Sequence, residues 1–221
     1  MTTLDEIPKT WEWVVCRKCG TKTLKAKFCM RCGAELVYRP KVSRSYVFDA
    51  LVVGEDTVGK STFIEKITST GEVVSRQPPS DGLSAIWVLR DVEVIITFVE
   101  KSAVDFRPND QMNALLLLFD LTNTLTFVKC FRVLKMVKAM EDKFNTYLVG
   151  NKADLIVDRA VRREEAVKAA NEFGVSYFEV SSISAEGINS LRQTLIKDLL
   201  QFRLETVKRV LKRDGRFASQ T

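Results

Sequence analysis

Short apolar runs rich in β-branched and aromatic residues recur at 46–53, 83–90, 92–99, 114–119, 146–149 and 176–180, and each reads as a strand. Longer segments between them carry apolar residues at three- and four-residue spacing, which predicts helices at 61–67, 124–140, 161–173 and 188–213. The apolar face of 124–140 is Phe127, Phe131, Leu134 and Val137. That of 188–213 is Leu191, Leu195, Leu199 and Phe202, a core stripe rather than a cofactor site. Cys130 falls inside a helix as a packing residue. The runs 83–90 and 92–99 are separated by Asp91 alone, so they pair across a tight turn. Elsewhere strand and helix alternate, the pattern of a mostly parallel sheet covered by helices on both faces.

At the end of the first of these strands the chain reads Gly54-Glu-Asp-Thr-Val-Gly59-Lys60-Ser61, a G-x-x-x-x-G-K-S loop between strand and helix. The glycines let the loop wrap closely, so its amides and the helix N-terminus face a phosphate chain. Asp56, Thr57, Val58, Gly59, Lys60, Ser61 and Thr62 are the candidate phosphate-binding residues. Lys60 would reach the β- and γ-phosphates, and the Ser61 hydroxyl would ligate Mg²⁺. An ordinary glycine turn is the competing reading, but strand, loop and helix agree on a nucleoside phosphate.

Composition narrows the chemistry. The 221 residues contain no histidine, which excludes Ser-His-Asp and Cys-His nucleophile systems and imidazole-ligated zinc. Residues 1–44 hold ten Lys/Arg against four Asp/Glu, a surplus equal to the whole net charge of +6. A second basic stretch, 203–216, has six cations against two anions. It suits an anionic membrane surface, a partner groove, or folding back on its own domain or the N-terminal segment, the last being favoured. No secretory signal, N-terminal glycine acylation site or prenylation cysteine is visible, and 114–119 is too short to span a bilayer. These features predict a cytoplasmic protein without a transmembrane segment or lipid anchor.

Four of the five cysteines form two C-x-x-C pairs, Cys16/Cys19 and Cys29/Cys32, nine residues apart and each followed by glycine. Thiolates suit tetrahedral zinc, and a glycine permits the tight turn around a metal. About 40 residues bury too little apolar surface to fold unaided, so Zn²⁺ would supply the folding energy. Disulfides are the alternative, disfavoured in a cytosolic setting. The segment resembles short zinc ribbons fused to many archaeal and bacterial proteins, notably in Lys27-Phe-Cys29-Met-Arg-Cys32-Gly-Ala-Glu-Leu36. Its interleaved Lys18, Lys22, Lys25 and Lys27 leave nucleic acid open as a partner, with protein contact or docking on a neighbouring domain slightly preferred. Trp11 and Trp13 would pack the ribbon rather than stack on a base.

A second motif, Gly150-Asn151-Lys152-Ala153-Asp154, follows the strand at 146–149. The Asp154 carboxylate can accept hydrogen bonds from guanine N1–H and the 2-amino group, which adenine lacks. The Lys152 stem can lie on the purine face, and Asn151 can tie this loop to the phosphate loop. On these motifs, with Leu118-Phe-Asp-Leu-Thr122 and Glu164-Glu-Ala166, the segment 46–202 resembles the Ras-like small GTPases, and the Rab group among them. The resemblance implies a P-loop NTPase with a six-stranded sheet, GTP/GDP and Mg²⁺ as ligands, and a protein effector or activator as partner. Ser181, Ser182 and Ile183 stand where the family's Ser-Ala-Lys loop braces the base, without its lysine. Ser80 stands where the family's first switch places a Mg²⁺-binding threonine, though a solvent-exposed loop serine reads as well.

The chain departs from the family at the next motif, Asp-x-x-Gly followed by Gln. Here the strand ends Thr97-Phe-Val-Glu100-Lys-Ser-Ala103-Val104. Glu100 is the nearest carboxylate, one methylene longer, while Ala103 and Val104 replace Gly and Gln. Gln111 lies in the same loop but does not align. Lys60, Ser80 and Glu100 are thus the candidate catalytic residues, and intrinsic hydrolysis should be slow, because a residue that positions water is missing. The expected organisation is a zinc ribbon at 1–38, a linker at 39–45, a GTP-binding domain at 46–202 and a basic extension at 203–221. Its function would be a slow, partner-dependent GTPase switch. The alternatives are a scaffold that holds nucleotide without turnover and a nucleic-acid- or ribosome-associated factor.

Overall fold

Seven consecutive buried residues, Ala114–Asp120, form the strand around which the larger of two structural units is built. The units are residues 1–42 and 43–221 in a computed structural model. It describes residues 13–16, 19–24, 28–34, 42–75, 82–89, 91–107, 112–140 and 144–213.

In the smaller unit, β1 (Trp13–Val15) and β2 (Lys22–Leu24) pair antiparallel, with Trp13 opposite Leu24. Each C-x-x-C pair closes a knuckle on its glycine. The Gly20 amide donates to the Cys16 carbonyl at 2.8 Å, and that of Gly33 to the Cys29 carbonyl at 2.9 Å. Both glycines sit at positive φ, 70° and 66°, where a side chain is disfavoured.

The larger unit runs β3 (Arg44–Gly54), α1 (Lys60–Thr68), β4 (Glu72–Ser75), β5 (Leu83–Leu89), β6 (Val92–Ser102), β7 (Ala114–Asp120), α2 (Thr124–Lys138), β8 (Asn145–Asn151), α3 (Arg163–Phe173), β9 (Ser176–Glu179) and α4 (Ile188–Arg213). One sheet contains the larger unit's strands in the order β4-β5-β6-β3-β7-β8-β9. β6, β3, β7, β8 and β9 are mutually parallel, while the β5–β6 hairpin and the short β4 add antiparallel pairs at one edge. The six strands expected from the sequence are all present. The short β4 extends the edge as a seventh, its four residues too few to register as an apolar run.

Strand alternation divides the core in two. Ala114, Leu116 and Leu118 face Phe63, Ile64 and Ile67 of α1 and Leu191, Leu195 and Leu199 of α4. Leu115, Leu117 and Phe119 face Phe127, Cys130 and Leu134 of α2 and Ala166, Ala169 and Ala170 of α3. The predicted apolar stripes are therefore the buried faces, and Cys130 packs at 3% exposure, with burial pushing its thiol out of reach of ionisation at neutral pH. Because β3 has neighbours reached by opposite crossovers, its carboxyl end lies at a topological switch point. That is the edge where open α/β sheets place their ligands.

Candidate functional site

At that edge, β3 ends on Gly54 and the chain turns through Glu55–Val58 into α1. Gly59 caps the helix at φ 85°, ψ 38°, and a Cβ there would lie 3.0 Å from Asn151 Nδ2. Asp56, Thr57, Ser61 and Thr62 are exposed around the loop, whereas Val58 is buried beneath it. The Lys60 ammonium turns back over the loop. It donates to the carbonyls of Gly54 at 3.1 Å and Glu55 at 2.9 Å and sits 3.7 Å from the Asp56 carboxylate. Glu55 in turn pairs with Lys129 of α2 at 2.7 Å, pinning the loop sideways.

Asn151, at the end of β8 and 2% exposed, joins three segments. Its Nδ2 donates to the Val58 carbonyl at 2.8 Å. Its Oδ1 accepts from the Ser182 amide at 3.1 Å and the Ser182 hydroxyl at 2.9 Å. Phosphate loop, Asn-Lys-x-Asp loop and Ser181–Ile183 loop thus form one assembly. The expected tie between Asn151 and the phosphate loop is a direct hydrogen bond. Asp154 extends from the turn closed by the Leu155 amide on the Lys152 carbonyl at 3.0 Å, its carboxylate exposed. Ser181 is fully buried, and its hydroxyl accepts from the amides of Ile183 at 3.2 Å and Ser184 at 3.0 Å. The Ile183 side chain points to solvent, so a lysine's absence there removes no packing.

Lys152 has φ 67°, unusual for a residue with a side chain. Its ammonium meets the Asp120 carboxylate at 2.6 Å. Burial would raise the Asp120 carboxyl, but Lys152 and the Thr122 amide and hydroxyl outweigh it and hold the carboxyl below its ordinary value. Sequence reasoning missed Asp120. The signal was a single carboxylate closing an otherwise apolar strand.

The degenerate segment also converges here. Ser61 Oγ donates to Glu100 Oε2 at 2.9 Å, so the longer carboxylate reaches the helix start from β6. β6 runs three residues past the predicted end at Val99, in register with β3 until Gly54 stands opposite Ser102. The Ala103 amide then donates to the Gly54 carbonyl at 3.3 Å, and Phe106 anchors the following turn in the core at 1% exposure. Val104 is exposed, and Arg107 donates to its carbonyl at 3.1 Å. Ser80 and Gln111 lie outside the described residues.

In the smaller unit the four cysteine sulfurs lie within 4.8 Å of one another. Cys16 and Cys32 are 3.6 Å apart and Cys19 and Cys29 3.8 Å. A disulfide needs about 2.0 Å, whereas the edge of a tetrahedron with Zn–S bonds of about 2.3 Å is about 3.8 Å. All four are free thiols, and the donor set fits tetrahedral zinc. The Thr21 hydroxyl, 3.4 Å from Cys19 Sγ and itself accepting from Arg31 at 2.9 Å, lowers the Cys19 thiol to about 6 together with the Thr21 amide. The tryptophan and lysine side chains expected around this centre lie outside the described residues.

A glycine loop at the switch point of a mostly parallel sheet, bonded to an Asn-Lys-x-Asp loop on the same edge, is the architecture of a Ras-like P-loop fold. Residues 100–201 match the Ras family model. The chain is similar to the Ras-related protein Rab-27B of Rattus norvegicus, 28% identical over 186 residues covering 72% of this chain and 82% of that protein. It is also similar to RABA2a of Arabidopsis thaliana, at 27% over 73% of this chain and 78% of that protein, and to Rab-11C of Dictyostelium discoideum, at 22% over 70% and 73%. These findings support a Ras/Rab-like small GTPase domain. No helix among the described residues is long and apolar enough to cross a membrane.

Proposed function

We propose that the protein is a cytoplasmic guanine-nucleotide switch with slow GTP hydrolysis that depends on a protein partner, joined to a zinc-held ribbon. The observation that carries this reading is Asn151, whose side chain bonds the phosphate loop on one side and the Ser182 loop on the other. That bridge would set the distance between the phosphate end and the base end of one elongated ligand. Asp56 to Thr62 would cradle the phosphates, Lys60 would leave its loop carbonyls for the phosphate oxygens, and Lys152, Asp154 and Ser181–Ile183 would hold guanine. Mg²⁺ would be held by the Ser61 hydroxyl, with Glu100 accepting a hydrogen bond from that hydroxyl and Ser80 completing the set. The ion would supply neutralisation of phosphate charge. Zn²⁺ would take Cys16, Cys19, Cys29 and Cys32.

Asp154→Asn tests the base assignment. An amide loses at least one charge-assisted bond to guanine, so GTP affinity should fall on the order of 100-fold in a calorimetric titration. Unchanged affinity would sink the assignment. Hydrolysis should be slow because Val104 presents an apolar side chain where water would have to be oriented. Single-turnover measurements should give a rate above that of free GTP in Mg²⁺ buffer but far below that of partner-stimulated enzymes.

A second reading, a scaffold that holds nucleotide without switching, is favoured by one observation. The Ala103 amide, at the position that senses the γ-phosphate in the resembled family, already bonds Gly54, and Phe106 is core. Hydrogen exchange over 100–107 separates the two readings: a switch changes protection between GDP and a non-hydrolysable GTP analogue, and a scaffold does not.

A further inference from the structure

We propose that Asp120 is a positioning residue for nucleotide retention, acting on the guanine-reading loop through Lys152; this rests on the guanine reading above. Asp120 ends the buried strand β7 at 5% exposure, level with Asn151 of β8. Its two oxygens have separate tasks. Oδ1 accepts from the Thr122 amide at 2.9 Å and the Thr122 hydroxyl at 2.7 Å, while Oδ2 holds the Lys152 ammonium at 2.6 Å. The main chains are joined as well, the Leu121 amide donating to the Asn151 carbonyl at 3.0 Å. The Asp120 amide is held too, donating to Thr126 Oγ1 at 3.0 Å. The carboxylate is therefore fixed by its surroundings, and it in turn holds the lysine.

The consequence falls on Lys152. Its backbone occupies the left-handed region at φ 67°, which a side-chain-bearing residue holds only when its surroundings impose it. A free lysine side chain also carries much rotamer entropy, which would be lost each time the stem is ordered against a base. A lysine whose ammonium is already tied to a buried carboxylate has lost that freedom before ligand arrives. Asp154 lies two residues further along the same loop, so the anchor also steadies the base-reading carboxylate. An amide at 120 cannot replace the carboxylate: it offers one acceptor oxygen, and its NH₂ would face either the Lys152 ammonium or the Thr122 donors.

The test is the release rate of a fluorescent GDP analogue from the full-length protein in Mg²⁺ buffer. Asp120→Asn should release it about tenfold faster, the effect of losing one charge-assisted bond. Lys152→Met should give a similar increase, and the double variant should be no faster than the faster single, because both break one interaction. Release within about twofold of wild type for Asp120→Asn, or a double variant equal to the product of the singles, overturns the proposal. Coupling that appears in thermal unfolding of nucleotide-free protein but not in release also overturns it, since Asp120 would then serve the fold alone. Should Asp120→Asn fail to fold, Thr122→Val removes one donor from Oδ1 and keeps the charge pair; release should rise about two- to threefold, and an unchanged rate counts against the proposal. Asp154→Asn runs alongside: wild-type release from that variant indicts the guanine reading itself, independently of Asp120.

Discussion

Single carboxylates organise much of the ligand edge, and each is held by a different set of donors. Glu179, at the end of β9, accepts from Arg159 through both oxygens and from Tyr177 at 2.8 Å, and forms an ion pair with Arg163 at 3.2 Å. Burial works to raise its carboxyl, but these partners outweigh it and hold the group below the ordinary carboxylate value. A depressed folded value contributes stability that is present above the unfolded pKa of about 4.3 and is lost as pH falls through the folded one. Glu179→Gln should therefore melt at a lower temperature than wild type at neutral pH, and the two melting curves should converge in acid below the folded value. Scanning calorimetry across that range checks this, and a constant gap at all pH values contradicts it.

At the scale of elements, the phosphate loop depends on a helix cap that no side chain supplies. Gly59 occupies φ 85° and α1 has no side-chain cap, so the loop's shape rests on the glycine, on Asn151 and on Glu55–Lys129. Gly59→Ala should cost about 1–2 kcal/mol of stability from left-handed strain. Its methyl group would also crowd Asn151 Nδ2 at 3.0 Å, loosening the bridge to Ser182. Loss of nucleotide binding greater than loss of stability is the expected outcome, read by comparing equilibrium unfolding with nucleotide titration. The elements themselves were largely legible in advance. The run 114–119 and the stripe Leu191, Leu195, Leu199 are buried as their periods predict, whereas the run 46–53 is buried only in part, with Val47 and Asp49 exposed. The extension of β6 to Ser102 was not legible, because Glu100-Lys-Ser carries no strand propensity. Pairing with β3 decides it, a contact between segments far apart in sequence.

At the scale of the molecule, two units with different sources of stability share one chain. The unit at 43–221 has a layered core on both faces of its sheet, whereas the described residues of 1–42 form two three-residue strands and a four-cysteine cluster. The purified protein should contain about one equivalent of zinc, and chelation should unfold the smaller unit while leaving guanine-nucleotide affinity within about twofold. Elemental analysis and titration before and after chelator measure both; loss of nucleotide binding on chelation would mean that the units are not energetically separate. The chemical alphabet of the protein was determined by sequence alone: a G-x-x-x-x-G-K-S loop at Gly54–Ser61, an Asn-Lys-x-Asp loop at Asn151–Asp154, five cysteines with four of them in two C-x-x-C pairs, and no imidazole. Such motifs are local, because neighbouring residues must share one turn to act. Tertiary structure decided what these motifs touch. Asn151 bonding Val58, Glu100 reaching Ser61, Ala103 tied to Gly54 and Asp120 holding Lys152 all join segments that only the strand order brings to one edge. A sequence records which donors and acceptors exist; the register of β3 against β6 and of β7 against β8 determines which of them meet.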